Sequence, residues 1–162
     1  MEIINQASEK FKDLQDEICG TLFDLLRQIN ALESEMSARN EELEEKSPDP
    51  HQFTPEMKQL WSEYRKRLGD ILKPACSEKL LKRGYGQSFG NPAKYACIDG
   101  DCKAYFIMKT AKKAVVEIHV QGAGQFNHKL VLKDIDGKWL VDEVYYGFET
   151  NPDKWLVAPA IR

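Results

Sequence analysis

The chain has 162 residues, of which 42% are hydrophobic, 30% charged and 10% aromatic. This is an ordinary globular composition, so collagen-like, low-complexity and mostly disordered classes are excluded. The length suits a single domain that buries its own core without disulfides or metal ions. The first ten residues lack the pattern of a secretory signal, and no stretch approaches the ~20 apolar residues of a membrane span. We therefore expect a cytoplasmic protein with no membrane contact.

Charge is unevenly distributed along the chain. Residues 1–50 carry 5 Lys or Arg against 13 Asp or Glu, whereas residues 51–162 carry 18 against 13, so their net charges are −8 and +5. An acidic N-terminal third attracts a basic protein surface and disfavours nucleic acid as the main partner of that part. The alternative is a helix whose acidic side is simply solvated.

Five lysines of the C-terminal half could form a basic patch for nucleic acid: Lys109, Lys112, Lys113, Lys129 and Lys133. Lysines at strand ends and on outer sheet faces usually increase solubility or protect a sheet edge, so we expect no nucleic-acid partner.

The cysteines and histidines do not form a metal-binding pattern. No CxxC pair occurs, and the histidines are scattered instead of sharing one helix face. We therefore expect no metal site, and we expect reduced thiols because the chain lacks the pattern of a secretory signal. The residues concerned are Cys19, Cys76, Cys97, Cys102, His51, His119 and His128.

The N-terminal segment, residues 1–46, has the pattern of a long amphipathic helix. Apolar residues recur every three or four positions from Ile4 to Met36. Gly20 and residues 30–37 are candidate breaks; an unbroken helix through residue 45 is longer than about 60 Å and favours a partner or a homodimer through this helix. The acids expected to meet a basic partner are Glu33, Glu35, Glu41, Glu42, Glu44 and Glu45.

Two further helices are predicted over residues 54–84. Pro48 and Pro50 end the first helix, and Thr54 is placed to cap the next, which begins with Pro55. Its apolar stripe continues to Leu72. A short third helix over residues 75–83 completes this part of the chain.

The pattern changes to period two over residues 93–146, which predicts an antiparallel sheet. Asp99-Gly100 and Asp136-Gly137 each predict a two-residue hairpin turn, the first setting Cys97 opposite Cys102, and residues 122–124 predict another turn. Residues 110–112 require an odd-length connection or a bulge to keep one face apolar. Residues 147–162 are interpreted as an irregular cap whose Trp155 packs back onto the body.

The Asp136-Gly137 turn also predicts which side chains face inward. It pairs Leu132 with Val141 and, if the register continues evenly, turns three polar side chains toward the concave side of the sheet. Such a group is either a general base with its helpers or a polar cluster with satisfied hydrogen bonds. The inward pocket candidates are His128, Glu143 and Tyr145. The outward residues expected to contact a partner are Tyr105, His119 and Lys133.

Helices followed by a curved antiparallel sheet predict an α+β fold. The runs at 114–120 and 129–135, and above all Asp-Gly-Lys-Trp-Leu-Val-Asp-Glu at 136–143, resemble the final strands of the NTF2-like (cystatin-like cone) superfamily. More narrowly, residues 94–148 resemble the NTF2-fold immunity proteins of bacterial polymorphic toxin systems, of the contact-dependent inhibition or Rhs type.

The resemblance implies a protein that protects its producer by binding the C-terminal domain of a toxin encoded beside it. Such toxins are often nucleases with basic surfaces, which the acidic segment would attract. It implies neither a reaction nor a cofactor. Because the cone fold also hosts isomerases and dehydratases, a small-molecule pocket built on the inward Glu, His and Tyr is the alternative.

Overall fold

The computed structural model describes residues 1–49, 51–122 and 124–162, which form a six-stranded mixed sheet with helices packed on one face. The strands lie in chain order; β1 is parallel to β2 and the others are antiparallel. The elements are β1 (Glu2–Asn5), α1 (Gln15–Lys46), α2 (Pro55–Leu72), α3 (Glu78–Leu81), β2 (Cys102–Thr110), β3 (Lys113–Val120), β4 (Phe126–Ile135), β5 (Lys138–Phe148) and β6 (Asn151–Val157).

The long helix is confirmed, but it begins later than predicted. It runs from Gln15 to Lys46 and is not broken at Gly20, so its length is about 48 Å at ~1.5 Å per residue. Ile4 lies in β1 instead, because residues 2–5 find hydrogen-bond partners along the edge of β2. A short 3-10 helix, Glu9–Leu14, joins the two elements.

The start of α2 is as predicted. The Thr54 hydroxyl oxygen accepts a hydrogen bond from the Met57 backbone N–H at 3.3 Å, and Pro55 occupies the first turn. The third helix is shorter than predicted, with Ser77 as its cap. Residues 75–77 instead run along β5, where Ser77 N–H donates to the Val141 carbonyl.

Two predictions about the sheet are wrong. Residues 96–99 form a 3-10 helix instead of a strand, so Asp99-Gly100 is not a hairpin turn and Cys102 pairs with Val120 rather than with Cys97. The predicted cap contains β6, which pairs with β5. The Asp136-Gly137 turn is confirmed: both residues have positive φ, 54° and 81°.

Irregularities in two strand pairs decide which side chains face the helices. The predicted correction before residue 113 occurs as a register shift between Ile107 and Thr110. A second shift was not predicted: Leu132 pairs with Val141 but Val131 pairs with Glu143, so Asp142 is an extra residue in β5. From that point onward the two faces of β5 are exchanged relative to an even register.

The core lies between α1, α2 and the inner face of the sheet. Apolar side chains from the helices meet alternate residues of β2, β3 and β4, and nearly all of them are shielded from solvent. The largest fully buried side chains include Tyr64, Tyr95, Phe106 and Met36. The α+β class is therefore confirmed, with a sheet that is open rather than closed.

Two predicted features involve positions outside the described residues: Pro50 in the break after α1 and Ala123 in the turn before β4. Among the helices of the described ranges, none combines the length and apolar character that crossing a bilayer requires.

Candidate functional site

The three inward pocket candidates do not come together. His128 faces the core and is buried, packed 4.8 Å from the Tyr95 ring between centroids. Because of the extra residue Asp142, Glu143 and Tyr145 point to the opposite face, where Glu143 Oε1 lies 3.6 Å from Lys79 Nζ. Val144 and Tyr146 instead occupy the positions opposite Leu130 and His128 that the even register assigns to Glu143 and Tyr145. The prediction of an inward group of three is wrong.

A buried polar network fills part of the concave side instead. It is centred on Glu33 of α1, whose side chain is 0% exposed and forms an ion pair with Arg162. The Gly90 and Lys94 backbone N–H groups donate to its two oxygens at 3.2 and 2.9 Å. Glu33 was predicted as an exposed partner contact, so that prediction is corrected. It lies four residues after Ile29 and three before Met36, a spacing that places it on the apolar stripe.

The same network holds the final residues of the chain against the body. Lys94 Nζ donates to the carbonyl oxygens of Ala160 and Ile161 at 3.1 and 3.0 Å, and the Tyr95 hydroxyl donates to Ile161 at 2.7 Å. The Gly86 N–H donates to the Arg162 carbonyl at 2.8 Å. Residues 158–162 are therefore held against the loop that contains Lys94 and Tyr95. The sequence pattern does not indicate this network, because Arg162 lies far along the chain from Lys94 and Tyr95.

Burial controls the titration of this network. Burial raises the pKa of the Glu33 carboxyl, although the two N–H donors and Arg162 oppose it. Burial, with the positive charge of Arg162, lowers the pKa of Lys94 to about 8. Burial and the charge of Lys94 lower the pKa of His128 to about 4, so this imidazole is neutral at pH 7. These shifts follow from burial in the packed network, and Lys94 and Arg162 also line a cavity of about 220 Å³ beside Pro159 and Ala160.

The acids of α1 divide into paired and free groups. Glu35 accepts hydrogen bonds from Arg39 and Arg67, which joins α1 to α2, and the Arg67 hydrogen bonds lower its pKa despite some burial. The exposed acids at the C-terminal end of the helix are Glu41, Glu42, Glu44 and Glu45. Of these, Glu44 accepts a hydrogen bond from the Asn40 side chain at 2.9 Å.

A groove of about 600 Å³ lies between the C-terminal half of α1 and the first half of α2. Its apolar floor includes Leu43 and Leu60, and its rim is mostly charged. The rim holds three acids, Glu42, Glu56 and Glu63, and two bases, Arg39 and Lys66, of which Arg39 forms an ion pair with Glu63. The arrangement is suited to a basic side chain or a basic protein segment.

The opposite face of the sheet carries a cluster of aromatic and charged side chains, which we call the sheet-face cluster: Tyr105, Glu117, His119, Lys129, Tyr145 and Trp155. The His119 ring lies 5.0 Å from Tyr105 and 5.8 Å from Trp155, both edge to face. Lys129 Nζ lies 5.5 Å from the Tyr145 ring centre and 5.7 Å from that of Trp155. Glu117 Oε2 lies 3.2 Å from His119 Nε2.

The Trp155 ring lies on this face because β6 passes close to Gly147 of β5, which has no side chain. A Cβ atom at Gly147 would approach the Trp155 ring to 3.3 Å, so the absent side chain leaves room for the indole. The prediction that Trp155 packs back onto the body is confirmed, although by a strand instead of an irregular cap. Lys133 is also on the outward face, with its Nζ 2.9 Å from the buried Asp142 carboxylate.

Comparisons with known protein families, with curated proteins and with solved structures gave no match. In the part of the chain that the structure describes, no three His, Cys, Asp or Glu side chains are grouped so as to hold a metal ion.

Proposed function

We propose that this protein is an immunity protein of the NTF2-like cone type. It binds and neutralises the C-terminal domain of a polymorphic toxin, one with a basic surface such as a nuclease. The observation that carries the proposal is the acidic end of α1: four exposed glutamates, one of which, Glu42, also lines the groove between α1 and α2 together with Glu56. A basic toxin domain is attracted to such a surface and held there by complementary charge.

The position of these glutamates supports a role in binding. The C-terminal end of a helix carries a partial negative charge, so acids there destabilise the helix, and lysine or arginine would stabilise it. Glu41 and Glu45 are also four residues apart, where like charges repel. Lys46 is the basic residue of the last turn. Residues that reduce the stability of their own helix are typical of functional sites, so these glutamates are suited to binding a partner.

The alternative of a cone-pocket enzyme has less support. Its three proposed residues lie on two faces of the sheet, and the Tyr95 ring that packs against His128 donates its hydroxyl to the Ile161 carbonyl. The buried imidazole is neutral and packed against Tyr95. These contacts favour a protein that acts through its surface.

The proposal is tested by co-expression with the C-terminal domain of the large secreted protein encoded immediately upstream. We expect growth of the producing cells to be restored and a one-to-one complex to be purified. If the domain kills the cells despite co-expression and no complex is recovered, the proposal is refuted.

The binding surface is tested with two variants of equal charge. In the first, Glu41, Glu42, Glu44 and Glu45 are replaced by Gln. In the control, four exposed acids elsewhere are neutralised: Glu2→Gln, Asp13→Asn, Glu149→Gln and Asp153→Asn. We expect the first variant to slow association about tenfold or more at low salt, and the control to have a much smaller effect. Equal rates for both variants would place the toxin elsewhere.

A further inference from the structure

We propose that the outward face of the sheet binds single-stranded nucleic acid. This activity is separate from the proposed toxin binding, because the acidic end of α1–α2 belongs to the helical layer and this face lies on the other side of the sheet. The ligand would stack its bases on the sheet-face cluster and place its phosphates near the surrounding lysines.

The rings on this face form one continuous strip. Tyr105, His119 and Trp155 are in edge-to-face contact, and Lys129 joins Trp155 to Tyr145. All five side chains are partly exposed, and the helices pack on the other face. Rings presented on an open sheet provide a platform for unpaired bases, which stack on aromatic side chains.

Four lysines surround the strip; Lys133 is paired with Asp142 and Lys103 lies beside Glu2 of β1, so Lys113 and Lys129 provide most of the attraction for a polyanion. Lys113 and Lys133 are directly paired across β3 and β4, an arrangement that costs stability because like charges repel. Lys103 pairs with His119 across β2 and β3. The acids of this face already contact basic groups: Glu117 contacts His119, while Asp142 and Glu143 contact lysines.

The alternation of rings and ammonium groups favours a polynucleotide over an acidic peptide. Lys129 lies between two aromatic rings, and a nucleic acid strand likewise alternates phosphates with planar bases. An acidic peptide would pair with the lysines but would leave the ring surfaces without a partner. The sequence-based expectation of no nucleic acid rests on the acidic N-terminal third, which does not contribute to this cluster, and on the solubilising role usual for lysines of an outer sheet face. The aromatic rings beside Lys129 are the feature that favours binding instead.

The test is fluorescence anisotropy with labelled 20-nucleotide oligo-dT and oligo-U, at salt concentrations from 50 to 200 mM. With about three phosphates contacted, the logarithm of affinity should fall with a slope of about −2 against the logarithm of salt. A triple variant, Lys103→Gln, Lys113→Gln and Lys129→Gln, should lose most of this dependence. The control triple variant has three exposed helix-side lysines replaced by Gln: Lys46, Lys58 and Lys73. It should bind as the wild type does.

Stacking is tested separately by Trp155→Leu, which should weaken binding about tenfold. Oligonucleotide binding should also quench tryptophan fluorescence in the wild type and not in Trp155→Phe. Circular dichroism confirms that each variant is folded.

Besides equal affinity for a duplex, three results would overturn the proposal. They are no binding at 50 mM salt, equal affinity for the two triple variants, or competition by a 20-residue poly-glutamate as strong as that by unlabelled oligonucleotide. The last would identify an acidic protein segment as the ligand. Preference for single strands over a 20-base-pair duplex supports stacking, whereas equal affinity would reduce the interaction to general charge attraction and refute the base platform.

Discussion

Replacing Arg162 by Met should destabilise the protein by leaving a buried carboxylate without its ion-pair partner. Glu33 is fully enclosed, and only 16% of the Arg162 side chain is exposed. Breaking a buried ion pair costs about 3–5 kcal/mol when one charge remains. We expect about 3 kcal/mol, the lower end, because the backbone N–H groups of Gly90 and Lys94 still donate to Glu33.

The loss should depend on pH in a direction that identifies Glu33. Burial already raises its folded-state pKa, and removing Arg162 takes away an opposing effect, so the pKa rises further. Between the unfolded and folded pKa values the folded protein binds more protons than the unfolded chain, so stability falls as pH rises through this window. Arg162→Met should therefore cost less at pH 5 than at pH 7.5.

The assay is urea unfolding followed by circular dichroism at these two pH values. Glu33→Gln retains the shape of the side chain without its charge, and the double variant with Arg162→Met should lose less than the sum of the single losses. A loss under about 1 kcal/mol for Arg162→Met, equal at both pH values, would contradict the view that this ion pair compensates a buried charge.

Three further results are expected. Because the folded pKa of His128 is about 4 and its ordinary value is 6.5, the wild type should lose up to about 3 kcal/mol of its free energy of unfolding as pH falls from 6.5 to 4. His128→Gln should remove that part of the pH dependence in urea unfolding, and an unchanged pH dependence would contradict the prediction. Gly147→Ala should cost about 1–3 kcal/mol in thermal unfolding, since its Cβ would lie 2.9 Å from the Lys154 carbonyl oxygen and press on Trp155; a neutral result would mean that β6 moves freely. Thr54→Ala should cost about 1 kcal/mol through loss of the α2 cap, measured in the same way, and no change would show that water replaces the hydroxyl.

The elements defined by local chemistry were predictable. Thr54-Pro55 marks a helix start because both residues favour it regardless of the rest of the fold. Asp136-Gly137 marks a hairpin because a two-residue turn of this type needs positive φ at both positions. The long stripe of α1 was likewise visible, since period alone shows the buried face.

The elements that depend on distant partners were not predictable. β6 contains Asn151-Pro152, which favours a turn, and it forms because the edge of β5 offers hydrogen bonds and tolerates proline. β1 is missed for the same reason, because Ile4 fits the helical spacing of the residues that follow it. A local pattern carries no information about an edge that the chain supplies 100 residues later.

A single residue explains why the three predicted pocket residues do not lie on one face of the sheet. Asp142 adds one position to β5, and the alternation of side chains beyond it is inverted. No glycine or proline marks the bulge, and the local sign of it is that two consecutive acids, Asp142 and Glu143, interrupt the alternation between Val141 and Val144. The carboxylate is held there by Lys79, Lys133 and Ser77, whose hydrogen bonds lower its pKa to about 2 although burial opposes this. Tertiary contacts of this kind decide the faces of the strand.

The pairing of β1 with β2 has a consequence for the order of folding. Ile3 lies beside Ala104, so this parallel contact closes a loop that contains both long helices, whereas the hairpins of β2 to β5 close over a few residues. Short closures lose less chain entropy and form first. The N-terminal strand can therefore dock only on a sheet that already exists, and a nascent chain keeps its first residues unpaired until β2 has been synthesised.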